Sequence, residues 1–173
     1  MAQERTGLVK FKGNSVTLVG PALKPGDQAP EFSALGAGLV QVTLASSRGK
    51  VRLFSVVPSL DTPVCNIQTK KFNDAVAKLP DKVQPYTVSV DLPFAQKRFC
   101  EAEKISRMVN ISDHRDVSFG TAYGLLMKEH RLLARAIIVV DANDRITYFQ
   151  IVPDIGQEPD YDQALEALHK AAG

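Results

Sequence analysis

The chain has 173 residues, of which 45% are hydrophobic and 23% charged, with a net charge of +2 at pH 7. That length suffices for one domain with a full hydrophobic core, and the expectation is a single domain over 1–173. The near-neutral balance with scattered Lys and Arg argues against nucleic-acid and anionic-membrane partners, and no apolar run reaches the roughly 18 residues of a transmembrane helix. The opening MAQERTGLVKFKG has no apolar h-region and no small-residue cleavage site, so a cytoplasmic location is expected.

Residues 8–19 alternate apolar and polar around Gly13-Asn14-Ser15, which predicts a β-hairpin turning at Gly-Asn. The segment 20–30 carries three prolines and two glycines and reads as an extended connector. Short strands around 31–35 and 39–44 follow. VRLFSVV, 51–57, reads as a buried strand that Pro58 ends. Over 64–79, Val64, Phe72, Ala75, Val76 and Leu79 keep helical spacing, with Gln68 a polar break in the stripe. Thr62 or Asp61 is the expected N-cap, which puts Cys65 in the first turn. YTVSV, 86–90, is the next strand. Asp91, Leu92 and Pro93 lead into a helix over 93–105 that contains Cys100. NISDHRD reads as a loop, followed by a short helix over 116–123 ending at Gly124. Strands at 134–140 and 145–152 flank the turn Asp141–Asp144, and a last helix covers 159–171. Strand-helix alternation closed by a hairpin predicts an α/β sandwich with a mixed sheet.

Several motifs are absent or weak. Gly36-Ala37-Gly38 lacks the third glycine of a dinucleotide loop, and no phosphate-cradling GxxxxGK[ST] occurs. HExxH and GxSxG are missing too. Asp113-His114-Arg115-Asp116 has too few partners for a metal, since only His130 and His169 remain elsewhere, so it reads as a solvated loop. Glu129-His130-Arg131 reads as an exposed turn. No cofactor and no metal are expected.

The two cysteines lie 35 residues apart, without a CxxC motif. They are either inert core residues or a redox pair. A free thiol is only a few per cent thiolate at pH 7, and peroxide chemistry needs the thiolate. A helix N-terminus offers unpaired N–H groups and positive potential, both favouring the anion. Cys65 has that position and Cys100, in mid-helix, does not, so Cys65 is the better-placed nucleophile. Thr62, three residues earlier, brings a hydroxyl to the same side, where it can hold a thiolate and a peroxide oxygen together, or serve as a plain cap. Pro58 can wall the pocket without adding a donor. A guanidinium would stabilise the thiolate and polarise the O–O bond. Arg135 is the candidate, being an arginine at the head of the apolar run Ala134–Val140, unless it makes a surface salt bridge.

The stretch from Pro58 to Cys65, PSLDTPVC, matches the PxxxTxxC signature of peroxiredoxins, and the chain resembles their thiol peroxidase subfamily. SVTLVG, LKPGDQAPEF, SVDLPFAQKRFC, SDHRDVSFGTAYG, LLARAIIVVD and EPDYDQAL carry that resemblance over roughly 8–170. It implies a thioredoxin-like fold with an N-terminal hairpin and a homodimer. It further implies Cys65 as the peroxidatic cysteine, Cys100 as the resolving one, Thr62 and Arg135 as the peroxide-activating residues, and Pro58 as the shield. The implied activity is reduction of hydrogen peroxide and alkyl or lipid hydroperoxides through an intramolecular Cys65–Cys100 disulfide, with thioredoxin as reductant. The rival is a redox sensor that uses the same disulfide without sustained turnover, and a binding module with inert cysteines stands behind it. A disulfide needs Cα atoms within about 7 Å. With the sulfurs on separate helices, at least one helix end is expected to unwind when the bridge forms.

Overall fold

In the computed structural model, which describes residues 1–173, the N-terminal hairpin pairs β1 (Glu4–Phe11) antiparallel with β2 (Asn14–Val19). The turn falls on Lys12 and Gly13, both with positive φ, one residue earlier than the sequence suggests. Two consecutive residues in that region are what a tight hairpin turn demands. Next come β3 (Ser33–Leu35) and β4 (Gln41–Thr43), joined through a turn of 3-10 helix. Then β5 (Val51–Val56) leads to α1 (Pro63–Val76), β6 (Val83–Ser89), α2 (Pro93–Glu103) and β7 (Val109–Ser112). The chain finishes with α3 (Ser118–Ala122), β8 (Leu126–Met127), β9 (Ala136–Val140), β10 (Ile146–Ile151) and α4 (Tyr161–Ala172).

Seven strands form one mixed sheet in the order β10-β9-β5-β6-β7-β3-β4. The central β5, β6 and β7 run parallel, each linked to the next through a helix, and the outer pairings are antiparallel. β5 is buried at every position because both faces are covered. Val51 and Leu53 pack with Phe72 and Val76 of α1 and Leu168 of α4. Phe54 and Val56 pack on the other face with Phe119 and Tyr123. The two-residue alternation thus carries Val57 to the α1 side, where it meets Cys65.

The fold is the expected α/β sandwich with a mixed sheet and an N-terminal hairpin. Three local readings need correction. β6 starts at Val83, not 86, and runs through Pro85. The carbonyls of Lys82 and Val88 bond β5, so by alternation Pro85 turns its nitrogen to the other side, where pairing with β7 begins only at Tyr86. NISDHRD is not all loop, since Val109–Ser112 is the strand β7, too short and too polar to show period-two alternation. The third correction concerns Asp113, which is not solvated. It is 1% exposed, and its carboxylate accepts from the N–H groups of Phe119 (2.9 Å) and Gly120 (2.7 Å). Glu129-His130-Arg131 is exposed, as expected.

Burial pushes the Asp113 carboxyl up to about 6, while the Gly120 and Phe119 amides pull it down. A carboxyl that binds its proton more tightly when folded favours the fold below about pH 4, and that contribution is lost as pH rises through about 6. The stability of the wild type relative to Asp113→Asn should therefore fall by about 2–3 kcal/mol between pH 4 and pH 7. Urea denaturation of both proteins at the two pH values measures this, and a difference independent of pH would contradict it.

A second small sheet, β1-β2-β8, lies against the main body. Its inner residues Val9, Val16, Leu18 and Met127 bury with Ala134 and Ile155. Backbone bonds clamp the hairpin to the segment after β10: Lys10 N–H donates to Pro153 O (2.7 Å) and Ile155 N–H to Lys10 O (3.2 Å).

Candidate active site

Pro63 opens α1 at the position where a missing N–H does least harm. Thr62 is the N-cap residue, with extended backbone, and Cys65 is the third residue of the helix. The Cys65 amide is therefore among the first-turn donors that have no partner within the helix. The sulfur is fully buried, in a small cluster with Val57 and Leu60 against which Phe99 packs. Pro58, next to Val57, is buried as well.

Arg135 immediately precedes β9 and is 2% exposed. Its Nη2 donates to Cys65 Sγ at 3.4 Å and to Ile155 O at 2.7 Å, and its Nε also reaches Ile155 O at 3.1 Å. Its Nη1 donates to Gln68 Oε1 at 2.8 Å. Among these acceptors only the sulfur can carry a negative charge. Arg52, the other fully buried arginine, instead faces the Asp144 carboxylate at 2.6 Å. A guanidinium taken out of water needs negative charge nearby. Cys65 Sγ is the ionisable atom it bonds directly, and the Glu158 carboxylate interacts with it at longer range.

Thr62 differs from the expectation. It is exposed, its hydroxyl makes no capping bond, and it donates to Ser59 O at 3.0 Å rather than to the sulfur. With its proton committed to a carbonyl, the oxygen keeps lone pairs that can accept from an incoming O–H. Cys100 is half-buried in α2 and packs against the core beneath α1 and α4, while its neighbour Phe99 faces the Cys65 cluster. Burial pushes the Cys100 thiol up, against the pull of the Asn110 amide that donates to its sulfur. Both cysteines are free. The structure thus brings Cys65 and Arg135 together and holds Cys100 among other partners.

A redoxin family model matches residues 24–165. A thiol peroxidase of Halalkalibacterium halodurans is 53% identical over 163 residues, covering 94% of this chain and 98% of that protein. A thiol peroxidase of Bacillus subtilis is 49% identical, covering 92% and 95%. The chain belongs to the thiol peroxidase branch of the redoxin family. A peroxiredoxin-like protein from Aquifex aeolicus superposes with a TM-score of 0.88 at 40% identity, covering 96% of this chain and 98% of that one. The fold is also shared with a thiol peroxidase from Chromobacterium violaceum at a TM-score of 0.84 and 18% identity.

Two residues of this thiol peroxidase chain escaped the sequence reading. Gln68 is fully buried, accepts from Arg135, and donates through Nε2 to Ser55 Oγ at 2.7 Å. It fixes the rotamer of the arginine whose other end meets the sulfur. The signal was present: a polar residue one helical turn after Cys65 on the apolar stripe. Asp91 reads in the sequence as part of a helix start. In the structure Leu92 is the N-cap of α2, and the Asp91 carboxylate turns to the loop before Cys65. No local pattern marks that contact, which spans about thirty residues.

Proposed function

We propose that the protein reduces hydroperoxides with Cys65 as the peroxidatic thiolate, Cys100 as the resolving thiol and thioredoxin as the reductant. The observation that carries this reading is the buried Arg135 guanidinium, which donates to Cys65 Sγ and has no carboxylate among its bonded partners. The thiolate attacks the terminal peroxide oxygen, so an S–O bond forms as the O–O bond breaks. The leaving oxygen takes a proton and departs as water or an alcohol, leaving a sulfenic acid on Cys65. The guanidinium stabilises the charge that moves from sulfur to the leaving oxygen. Thr62 and Pro58 complete the pocket, the first as acceptor for the peroxide O–H and the second as a wall without an N–H.

Cys100 of the same chain then attacks the oxidised sulfur. The S–S bond forms, the S–O bond breaks, and water leaves. The two thiols of reduced thioredoxin return two electrons by exchange. Because Cys100 is held by α2 and Asn110, this step requires the first turn of α1, the α2 segment, or both to open. The reading takes the chain as a single domain over 1–173, as a homodimer, and in a reducing compartment such as the cytoplasm, which suits two free cysteines. Steady-state assays with thioredoxin and its reductase should show sustained turnover of both hydrogen peroxide and an alkyl hydroperoxide. A single turnover without recycling would favour the sensor instead.

A further inference from the structure

The loop between β5 and α1 has few polar anchors of its own. Pro58 and Pro63 contribute no N–H, Thr62 Oγ1 bonds back to Ser59 O, and Asp61 N–H bonds back to Ser59 Oγ. Asp91 supplies the tie to the rest of the fold. Its Oδ1 accepts from Ser59 Oγ at 2.7 Å, and its Oδ2 accepts from Leu60 N–H at 2.7 Å and from Ser89 Oγ at 2.8 Å. Leu60 is the residue of this loop that clusters with Cys65, beside Val57 just after β5.

The same carboxylate reaches the helix of the second cysteine. Ser89 Oγ, which donates to Asp91, accepts from Gln96 Nε2 at 3.0 Å, and Gln96 also donates to Ile111 O on β7 at 3.0 Å. Gln96 is 2% exposed and sits one helical turn before Cys100. The backbone carbonyl of Asp91 accepts in turn from Ser112 Oγ at the end of β7. A continuous set of hydrogen bonds therefore runs from the Cys65 loop through Asp91 and Ser89 to the part of α2 that carries Cys100.

We propose that Asp91 is a positioning residue that latches the Cys65 loop in its peroxide-reactive form and couples its release to the loosening of α2. This rests on the disulfide reading given above. The latched form keeps Leu60 over the sulfur and Cys65 beside Arg135. The disulfide needs that loop and α2 to move, so the latch must open first. Each closed latch favours the reaction with peroxide and opposes the reaction with Cys100. Weakening it should therefore change the two steps in opposite directions, which a general loss of stability does not do.

The test follows Asp91→Asn by rapid-quench mass spectrometry, because the chain has no tryptophan to report the steps by fluorescence. The sulfenic acid is captured with a dimedone-type trap, and disulfide formation is read from the loss of free thiols. The carboxamide keeps the volume, but its NH2 cannot accept. The expected result is about tenfold slower oxidation of Cys65, the effect of losing one charge-assisted hydrogen bond, together with faster disulfide formation from the sulfenic acid. Because sulfinic acid formation competes with the disulfide for that intermediate, over-oxidation at high peroxide should fall. Ser59→Ala removes one donor from the loop side without touching β6 or α2, and should shift both steps the same way but less. It carries the test if Asp91→Asn does not fold. Unchanged rates, two rates slowed together, or any other pattern overturns the latch. A wild-type protein that forms no Cys65–Cys100 disulfide overturns the disulfide reading instead.

Discussion

Arg135→Lys is expected to slow the oxidation of Cys65 by peroxide about 10²-fold, the loss typical of removing one preorganised donor from a charge-developing site. The substitution keeps the positive charge. What disappears is the planar fork that reaches Cys65 Sγ, Gln68 Oε1 and Ile155 O at once. An ammonium has three donors on a single nitrogen and cannot span those three acceptors from one position. Competition for peroxide against a reference peroxidase measures the rate constant. A value within threefold of wild type would mean that charge alone, not the geometry of the fork, activates the sulfur. Arg135→Ala should in addition leave the Gln68 and Ile155 oxygens unpaired inside the protein, destabilising it by about 2–4 kcal/mol.

Substituting the two cysteines should separate their roles. Cys65→Ser is expected to abolish peroxide consumption, because a hydroxyl at that position is neither ionised nor nucleophilic enough to attack the O–O bond. Cys100→Ser should still consume one equivalent of peroxide and then stop, accumulating a sulfenic acid on Cys65 that a dimedone-type trap captures. Thioredoxin-coupled turnover should be lost in both. Full coupled turnover by Cys100→Ser would remove the intramolecular disulfide from the mechanism.

The long elements were legible because their patterns were long. The buried run at β5, the helical stripe of α1, and the β9–turn–β10 unit each contain enough residues for periodicity to show. β7 and β8, with four and two residues, owe their strand character to neighbours supplied by distant parts of the chain. The site was legible only in part. Placement in a first helical turn singled out Cys65 from one local pattern, but the arginine was harder. Arg52 lies inside an apolar strand just as Arg135 heads one, and burying a cation is equally unfavourable for both. What distinguishes them is their partners. Arg52 meets Asp144 and the carbonyls of Leu44 and Asp141, whereas Arg135 meets a sulfur. That difference is purely tertiary. The contact of Asp91 with the Cys65 loop is hidden for the same reason, since its place before Leu-Pro reads only as part of a helix start.

The clamp between the N-terminal hairpin and the segment after β10 bears on how the chain is divided into essential and dispensable parts. The Lys10 backbone holds the segment of Pro153 and Ile155 through two hydrogen bonds, and the Ile155 carbonyl is the anchor shared by two nitrogens of Arg135. The hairpin lies outside the main sheet and has the look of a removable ornament. It is instead the outer buttress of the Arg135 guanidinium, three hydrogen bonds removed from the Cys65 sulfur. Shortening the chain ahead of β3, or grafting another protein onto β1, would reach the surroundings of Cys65 and Arg135 from the far side of the molecule.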